Sequence, residues 1–286
     1  MKSAGIVVKE SNPKAVSLAA DVARWLKRKG VRVYVEDRLG KAVKAAETCR
    51  ADELKDNIGL LIVLGGDGTM LYGVRIIGGG KVPILGVNMG GLGFLTAVTM
   101  DEVYPLLTQV LKGDFTTEER MTLSVELKKK GKAASRHRVL NDAVIKGSAA
   151  KLIRLEARIN REYVTTYRCD GLIVATPTGS TAYSLSASGP VLYPTIHSII
   201  VSPVCPFNLT NRPVVIPDWM IVEVSIPEGT SGVMLALDGQ FEVGLEAGDL
   251  VKVKRAKESA YLIRYEGKSY FDILRERLMW EAKAVR

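Results

Sequence analysis

Apolar residues recur along this chain in two rhythms, and the rhythm changes near Phe115. In the first half, short apolar runs alternate with helical spacing. Ile6-Val7-Val8 reads as a strand, after which Ser11 or Asn12 can cap a helix whose first position is Pro13. Its inward stripe is Ala15, Leu18, Ala19, Val22, Trp25 and Leu26, and Gly30 closes it. Residues 31–35 alternate as a second strand. The run 58–64 is apolar and free of charge, as a strand covered on both faces must be, and 82–87 reads as a fourth strand, followed by a helix near 101–112. Strand and helix in alternation predict a parallel sheet with helices on its faces.

Beyond residue 121 the period becomes two. Residues 123–127, 152–157, 221–226 and 233–237 alternate as strands separated by turn residues, which predicts a mostly antiparallel β domain. The expected fold class is therefore an α/β N-terminal domain with a parallel sheet, followed by a mostly antiparallel β C-terminal domain. Boundaries are expected at 1–118 and 119–268, with a helix in 269–286, read over 271–284, that packs back on the first domain.

Composition narrows the class. The chain has 286 residues, 47% hydrophobic and 25% charged, as ordinary globular proteins do. No apolar stretch approaches the roughly 20 residues of a membrane span, and the start is charged too soon for a signal peptide. A cytoplasmic protein with no membrane partner is expected. Cys49, Cys169 and Cys205 lack paired spacing, so neither a disulfide framework nor a zinc site is indicated, and no dedicated metal ligands are expected. The net charge of +9 is dispersed, and its densest cluster, Lys128 to Lys132, reads as a solvated hairpin turn without an RNA-stacking motif. Phosphorylated small molecules explain the positive balance without a nucleic-acid partner.

Four clusters carry candidate chemistry. "LGGDGTML", residues 64–71, places glycines around Asp67 at the carboxyl end of a buried strand, where open α/β sheets bind ligands. "VNMGGLGFLT", residues 87–96, again sets glycines after a strand, either for a tight turn or for close approach of a ligand. In "LNDAVI", Asn141 and Asp142 can form a turn, or can offer an amide to a base edge and a carboxylate to ribose hydroxyls. "DGLIVATPTGSTAYSLSASGP", residues 170–190, runs from a buried strand into a turn dense in hydroxyls, suited to phosphate or ribose. Ser180 lacks the second glycine of a hydrolase elbow, and neither His137 nor His197 stands in a triad context.

These segments, with Asp238-Gly239-Gln240 later, resemble the NAD kinase family in type and order across most of the chain. Cys169, between Arg168 and Asp170, departs from the serine usual there. The resemblance implies ATP-dependent phosphorylation of the adenosine-ribose 2′-hydroxyl of NAD. It implies that Asp67 orients or deprotonates that hydroxyl while Gly66 and Gly68 let phosphates approach. Asn141 and Ser186 would hold adenine. Thr181, Ala182 and Tyr183 would line the dinucleotide, Asp142 would take the nicotinamide ribose, and Asp170 would meet the carboxamide, with Gln240 in the same binding set. Mg²⁺ or another divalent cation would arrive with ATP. Self-association into a dimer or tetramer is also implied, with the segment around Arg168 and Asp170 reaching into a neighbour's site. Two rivals share part of the pattern: a diacylglycerol-type lipid kinase, which has the first glycine motif, and a non-catalytic NAD-binding sensor.

Overall fold

The computed structural model describes residues 1–96, 98–148 and 151–280, and the chain divides into two compact units. One unit comprises Met1–Glu119 together with the chain from Ala260 onward, and the other is Arg120–Ser259.

In the first unit a seven-stranded sheet runs in the order Glu47–Cys49, Arg32–Glu36, Ser3–Val8, Leu61–Gly65, Pro83–Asn88, Ala260–Ile263, Thr117–Arg120. The pairings from Glu47–Cys49 through Ala260–Ile263 are parallel. From Ser3–Val8 the chain moves to one neighbour and later returns to the other, so the order reverses between Ser3–Val8 and Leu61–Gly65. That reversal opens a crevice at the carboxyl ends, into which the glycine loop after Gly65 emerges. The helix Pro13–Arg28 starts as its sequence requires: the Asn12 side chain accepts from the N–H of Lys14 at 3.1 Å and Ala15 at 3.4 Å, and Pro13 needs no partner there. Ala15, Ala19, Val22 and Leu26 are buried, whereas Leu18 and Trp25 are half-buried.

Two features of this unit go beyond the periodicity. Asp67–Ile77 is a helix with Gly66 at its N-cap, and it lies so close to the strand below that a Cβ on Gly73 would meet Val63 at 2.9 Å and Leu61 at 3.1 Å. The strand Ala260–Ile263, inside the span expected for the β domain, joins Pro83–Asn88 in parallel, because its apolar residues add to the first sheet. The last described helix is Tyr270–Leu278, capped by Ser269 and grouped with this unit; positions 281–284 of the expected helix lie outside the described residues.

The second unit has two six-stranded sheets, one ordered Glu162–Cys169, Ile153–Ile159, Val222–Ser225, Leu250–Arg255, Leu123–Lys128, Ser135–Val139 and the other Val214–Pro217, Ser198–Val204, Gly171–Ala175, Asp142–Gly147, Val233–Leu237, Phe241–Leu245. Apolar residues of both sheets form one core, from Leu123 and Val125 on one to Ile145 and Leu172 on the other, as in a sandwich. The turn at Lys128 to Lys132 joins Leu123–Lys128 to Ser135–Val139 as an antiparallel hairpin. Gly171–Ala175 is buried along its whole length because both faces are covered. Leu172 and Val174 enter the sandwich core, and Ile173 and Ala175 pack beneath Ala187 and Leu192. The hydroxyl-rich segment thus folds back over the sheet's outer face.

Candidate active site

In the first unit the site grows from two loops at the carboxyl edge of the sheet. Asp67 opens its helix, and its carboxylate accepts from the N–H of Phe94 and of Leu95, each at 3.0 Å, and from the Thr96 hydroxyl at 3.3 Å. The second glycine loop is therefore wrapped around the carboxylate of the first. Asn88 braces it from below: its amide donates to the carbonyl of Gly91 at 2.7 Å and to the Thr96 hydroxyl at 3.1 Å, and it accepts from the Gly90 N–H at 2.6 Å. A Cβ on Gly93 would land on the Asp67 carboxylate, so this glycine is dictated by packing. Gly66, Gly68, Gly90 and Gly91 differ, because among the described residues, apart from their chain neighbours and the backbone of their own helix, no atom lies within 4 Å of where their side chains would begin. Those four glycines leave room for something other than the protein itself.

Among the described residues, Oδ1 of the Asp67 carboxylate receives Leu95 and Thr96 while Oδ2 receives Phe94 alone. Oδ2 thus retains a lone pair, on a half-buried side chain.

In the second unit Asn141, Asp142, Thr176 and Asp238 gather at one end of the sheet, where Ala175 pairs with Asp142 and Leu237 with Ala143. Asp238 sits in the left-handed region at φ 49° and turns its carboxylate back onto three backbone N–H groups, Leu140 at 2.9 Å, Asn141 at 2.7 Å and Asp142 at 3.1 Å. This fixes the Asn-Asp dipeptide. Thr176 fixes it from the other side, its hydroxyl donating to the Leu140 carbonyl at 2.6 Å and its N–H to that of Asn141 at 2.9 Å. A Cβ on Gly179 would collide with the Asn141 carbonyl. Asp142 is only 4% exposed, and burial, reinforced by the Asp238 charge, pushes its carboxyl up to about 7.

The hydroxyl-rich segment separates into two sets. Thr176, Thr178, Ser180 and Ser184 are buried and hold the loop, as where Ser180 donates to the Pro177 carbonyl at 2.6 Å and accepts from the Leu192 N–H at 3.0 Å. Tyr183 and Ser186 are exposed, and Thr181 and Ala182 are half-buried, so these face outward, available to a ligand. Gln240 is also exposed, in the turn after Asp238.

Arg168 and Asp170 lie elsewhere. Gly171 pairs with Lys146 and Ala175 with Asp142, so Asp170 is at the opposite end of the strand from Asn141 and Asp142, roughly 17–20 Å away at about 3.3 Å per residue. Arg168 stacks its guanidinium over Phe207 at 4.7 Å. Within one chain the structure therefore brings Asn141, Asp142, Thr181 and their neighbours together and leaves Arg168 and Asp170 apart. Sequence reasoning missed Phe94, Leu95 and Thr96 as partners of Asp67, Asn88 as the brace of the loop that carries them, and Asp238 as the anchor of Asn141. The second glycine loop signalled the first group only by following a parallel strand.

A carboxylate at the switch point of a parallel sheet, bounded by glycines that keep space open, and a rigid Asn-Asp turn on a β-sandwich define a nucleotide-binding protein of the α/β-plus-β class. The chain matches the ATP-NAD kinase N-terminal domain over residues 4–115 and the ATP-NAD kinase C-terminal domain over 140–265. It belongs to the NAD kinase family. It is 41% identical to the NAD kinase of Geotalea daltonii over 281 residues, covering 98% of this chain and 99% of that one, and 44% identical to that of Syntrophotalea carbinolica with the same coverage. Among solved structures it resembles yeast NADH kinase complexed with NADH, with a TM-score of 0.93 at 27% identity, covering 99% of this chain and 89% of that one. An Archaeoglobus fulgidus NAD kinase in complex with ATP shares the fold, with a TM-score of 0.77 at 24% identity over 96% and 99% of the two chains.

Proposed function

We propose that this family member transfers the γ-phosphate of ATP to the 2′-hydroxyl of the adenosine ribose of NAD, giving NADP. The observation that carries the reading is family membership along nearly the whole chain, joined to an Asp67 carboxylate that keeps one acceptor site beside open glycines. Phosphoryl transfer proceeds through a loose transition state, so the protein's task is positioning and charge compensation. Asp67 Oδ2 orients the 2′-hydroxyl and takes its proton. Gly66 and Gly68 let the phosphates pass close to the backbone.

In the second unit Asn141 and Ser186 hold adenine, Asp142 takes a ribose hydroxyl, and Thr181, Ala182, Tyr183 and Gln240 line the dinucleotide. Supporting this, Asn141 and Asp142 lie at one end of a sheet with their backbone fixed by Asp238 and Thr176, and Thr181, Ala182, Tyr183, Ser186 and Gln240 are at least partly exposed in the same unit.

Among the described residues no group of three or more His, Cys, Asp or Glu gathers to hold a metal. Mg²⁺ often binds through one or two carboxylates plus substrate phosphates, and Asp67 suits that role. Such an ion would neutralise charge on the phosphoryl group in transit.

The chain self-associates as a dimer or tetramer, with Arg168 and Asp170 serving a neighbouring copy's site. Their distance from Asn141 within one chain supports this, as do the exposed Tyr163, Phe207, Leu209 and Trp219 of the same unit.

The test is to incubate the pure protein with ATP and Mg²⁺ and either NAD, NADH or diacylglycerol. NADP formation is expected. NADH belongs in the test because the yeast neighbour is an NADH kinase. Phosphorylation of diacylglycerol alone, or NAD binding without turnover, would overturn the reading in favour of the lipid kinase or the sensor.

A further inference from the structure

A second concave surface of the first unit lies far from the glycine loops. The helix Pro13–Arg28 leaves the carboxyl edge of the sheet at Asn12, and Trp25 is about 19 Å further along its axis at roughly 1.5 Å per residue. There a cleft of about 830 Å³ is lined by Arg24, Trp25, Lys27, Arg28, Ala45 and Tyr104, with Asp21 at one side. Its volume falls in the range of small-molecule sites, about 300–1,000 Å³.

The cleft is both aromatic and cationic. Trp25 and Tyr104 are half-buried, their ring centroids 5.7 Å apart and tilted by 57°, so each ring rests on the core and leaves part of its surface free. Lys29 lies over Trp25 at 5.8 Å. Asp21 pairs with Arg24, and among the described residues no carboxylate pairs with Lys27 or Arg28. Burial raises the Tyr104 hydroxyl pKa, and Asp21 adds to it, while the charges of Arg24 and Arg28 oppose it, which puts both guanidiniums within electrostatic reach of the ring.

Cations in a helix's last turn ordinarily answer its own negative end. Here the last carbonyls have other partners: Trp25 accepts from the Lys29 N–H at 3.2 Å, Lys27 from Gly30 at 3.0 Å, and Leu26 from Val31 at 3.1 Å. Those carbonyls therefore need no side-chain donor, and Lys27 and Arg28 keep their hydrogen-bonding groups for a ligand.

We propose that this cleft binds a nucleoside phosphate at a site separate from the substrate site. The base packs on Trp25 and Tyr104, and the phosphates meet Arg24, Lys27 and Arg28. Aromatic faces suit the base, and guanidinium forks suit phosphate oxygens.

The test uses the full chain with Trp219 and Trp280 replaced by Phe, so that Trp25 is the last of its three tryptophans. ADP, adenosine and pyrophosphate are titrated separately while Trp25 fluorescence is read. Saturable quenching by ADP is expected, tighter than with either fragment, and weakened about fivefold or more by Arg28→Glu, the scale of losing an exposed charge contact and replacing it with a like charge. NADP-forming kcat and KM should stay at the parent's values, since neither Trp25 nor Arg28 belongs to the substrate site; Lys27→Glu serves as the second variant should Arg28→Glu fold poorly. Absence of saturable quenching, quenching indifferent to both charge reversals, or pyrophosphate binding as tightly as ADP would overturn the proposal. None of these outcomes bears on whether the chain makes NADP.

Discussion

Asp142 and Asp238 respond differently to the same crowded turn. Asp238 is met by three backbone N–H groups, whereas among the described residues no hydrogen-bond donor reaches the Asp142 carboxyl, which lies buried beside a like charge. The folded protein therefore holds a proton on Asp142 between an ordinary carboxylate pKa of about 4 and a value of about 7, where the unfolded chain holds none. This group's contribution is fully present below the unfolded value and is lost as pH rises through the folded one. Asp142→Asn should remove that slope. The two proteins should melt at similar temperatures near pH 4, and the variant should melt higher at pH 8, by calorimetry without ligand; identical pH slopes would refute the assignment. Gly93 makes a second prediction at this scale. In Gly93→Ala the new methyl meets the Asp67 carboxylate, so kcat should fall on the order of 10²-fold, the cost of a misplacement of about 1 Å. Circular dichroism should stay unchanged.

At the scale of elements, what the sequence disclosed depended on how a segment is buried. The helix Pro13–Arg28 was legible because its apolar stripe, its Asn cap and its Pro all agree. The run up to Leu64 was legible because a strand covered on both faces has no polar position. The helix Asp67–Ile77 was not expected, since its N-cap is a glycine without a side-chain bond and Gly68 and Gly73 interrupt its pattern. Gly73 is required by close contact with Val63 and Leu61, and Gly68 borders open space, and both outweigh helix propensity. Likewise Glu47–Cys49 is a short, polar edge strand that tertiary pairing with Arg32–Glu36 creates. At the site, Asp67 and the Asn-Asp turn stood out by residue type, but the division of hydroxyls into loop-holding and outward-facing sets could not be read from a segment in which they alternate. Gly179 tests that division. Gly179→Ala drives a methyl into the fixed Asn141 carbonyl, and equilibrium unfolding should show a loss of about 1–3 kcal/mol, the usual cost of overpacking. An unchanged midpoint would mean that the 176–181 turn does not clamp the Asn-Asp dipeptide.

For the whole molecule, the separation of Asp170 from Asn141 along one strand means that a complete binding set needs another copy of the chain, if Asp170 takes part. Serial dilution should then lower specific activity as subunits part, with the mass by light scattering falling in parallel. A monomer whose specific activity is independent of concentration would contradict it. The net charge of +9 favours approach of anionic dinucleotide and triphosphate alike, an effect that salt should weaken.

Asp67→Asn bears most directly on the claim that one carboxylate in a glycine-bounded gap drives phosphoryl transfer to NAD. The exchange preserves size but removes the charge and the proton acceptor, and it turns an amide NH₂ toward either the Phe94 or the Leu95 N–H. The decisive measurement pairs kcat for NADP formation with the calorimetric Kd for NAD in wild type and variant. The account predicts a fall in kcat of about 10²-fold or more, the scale of positioned acid–base catalysis, with NAD affinity far less affected because the second unit's cluster is untouched. Full activity in a folded Asp67→Asn protein would contradict it.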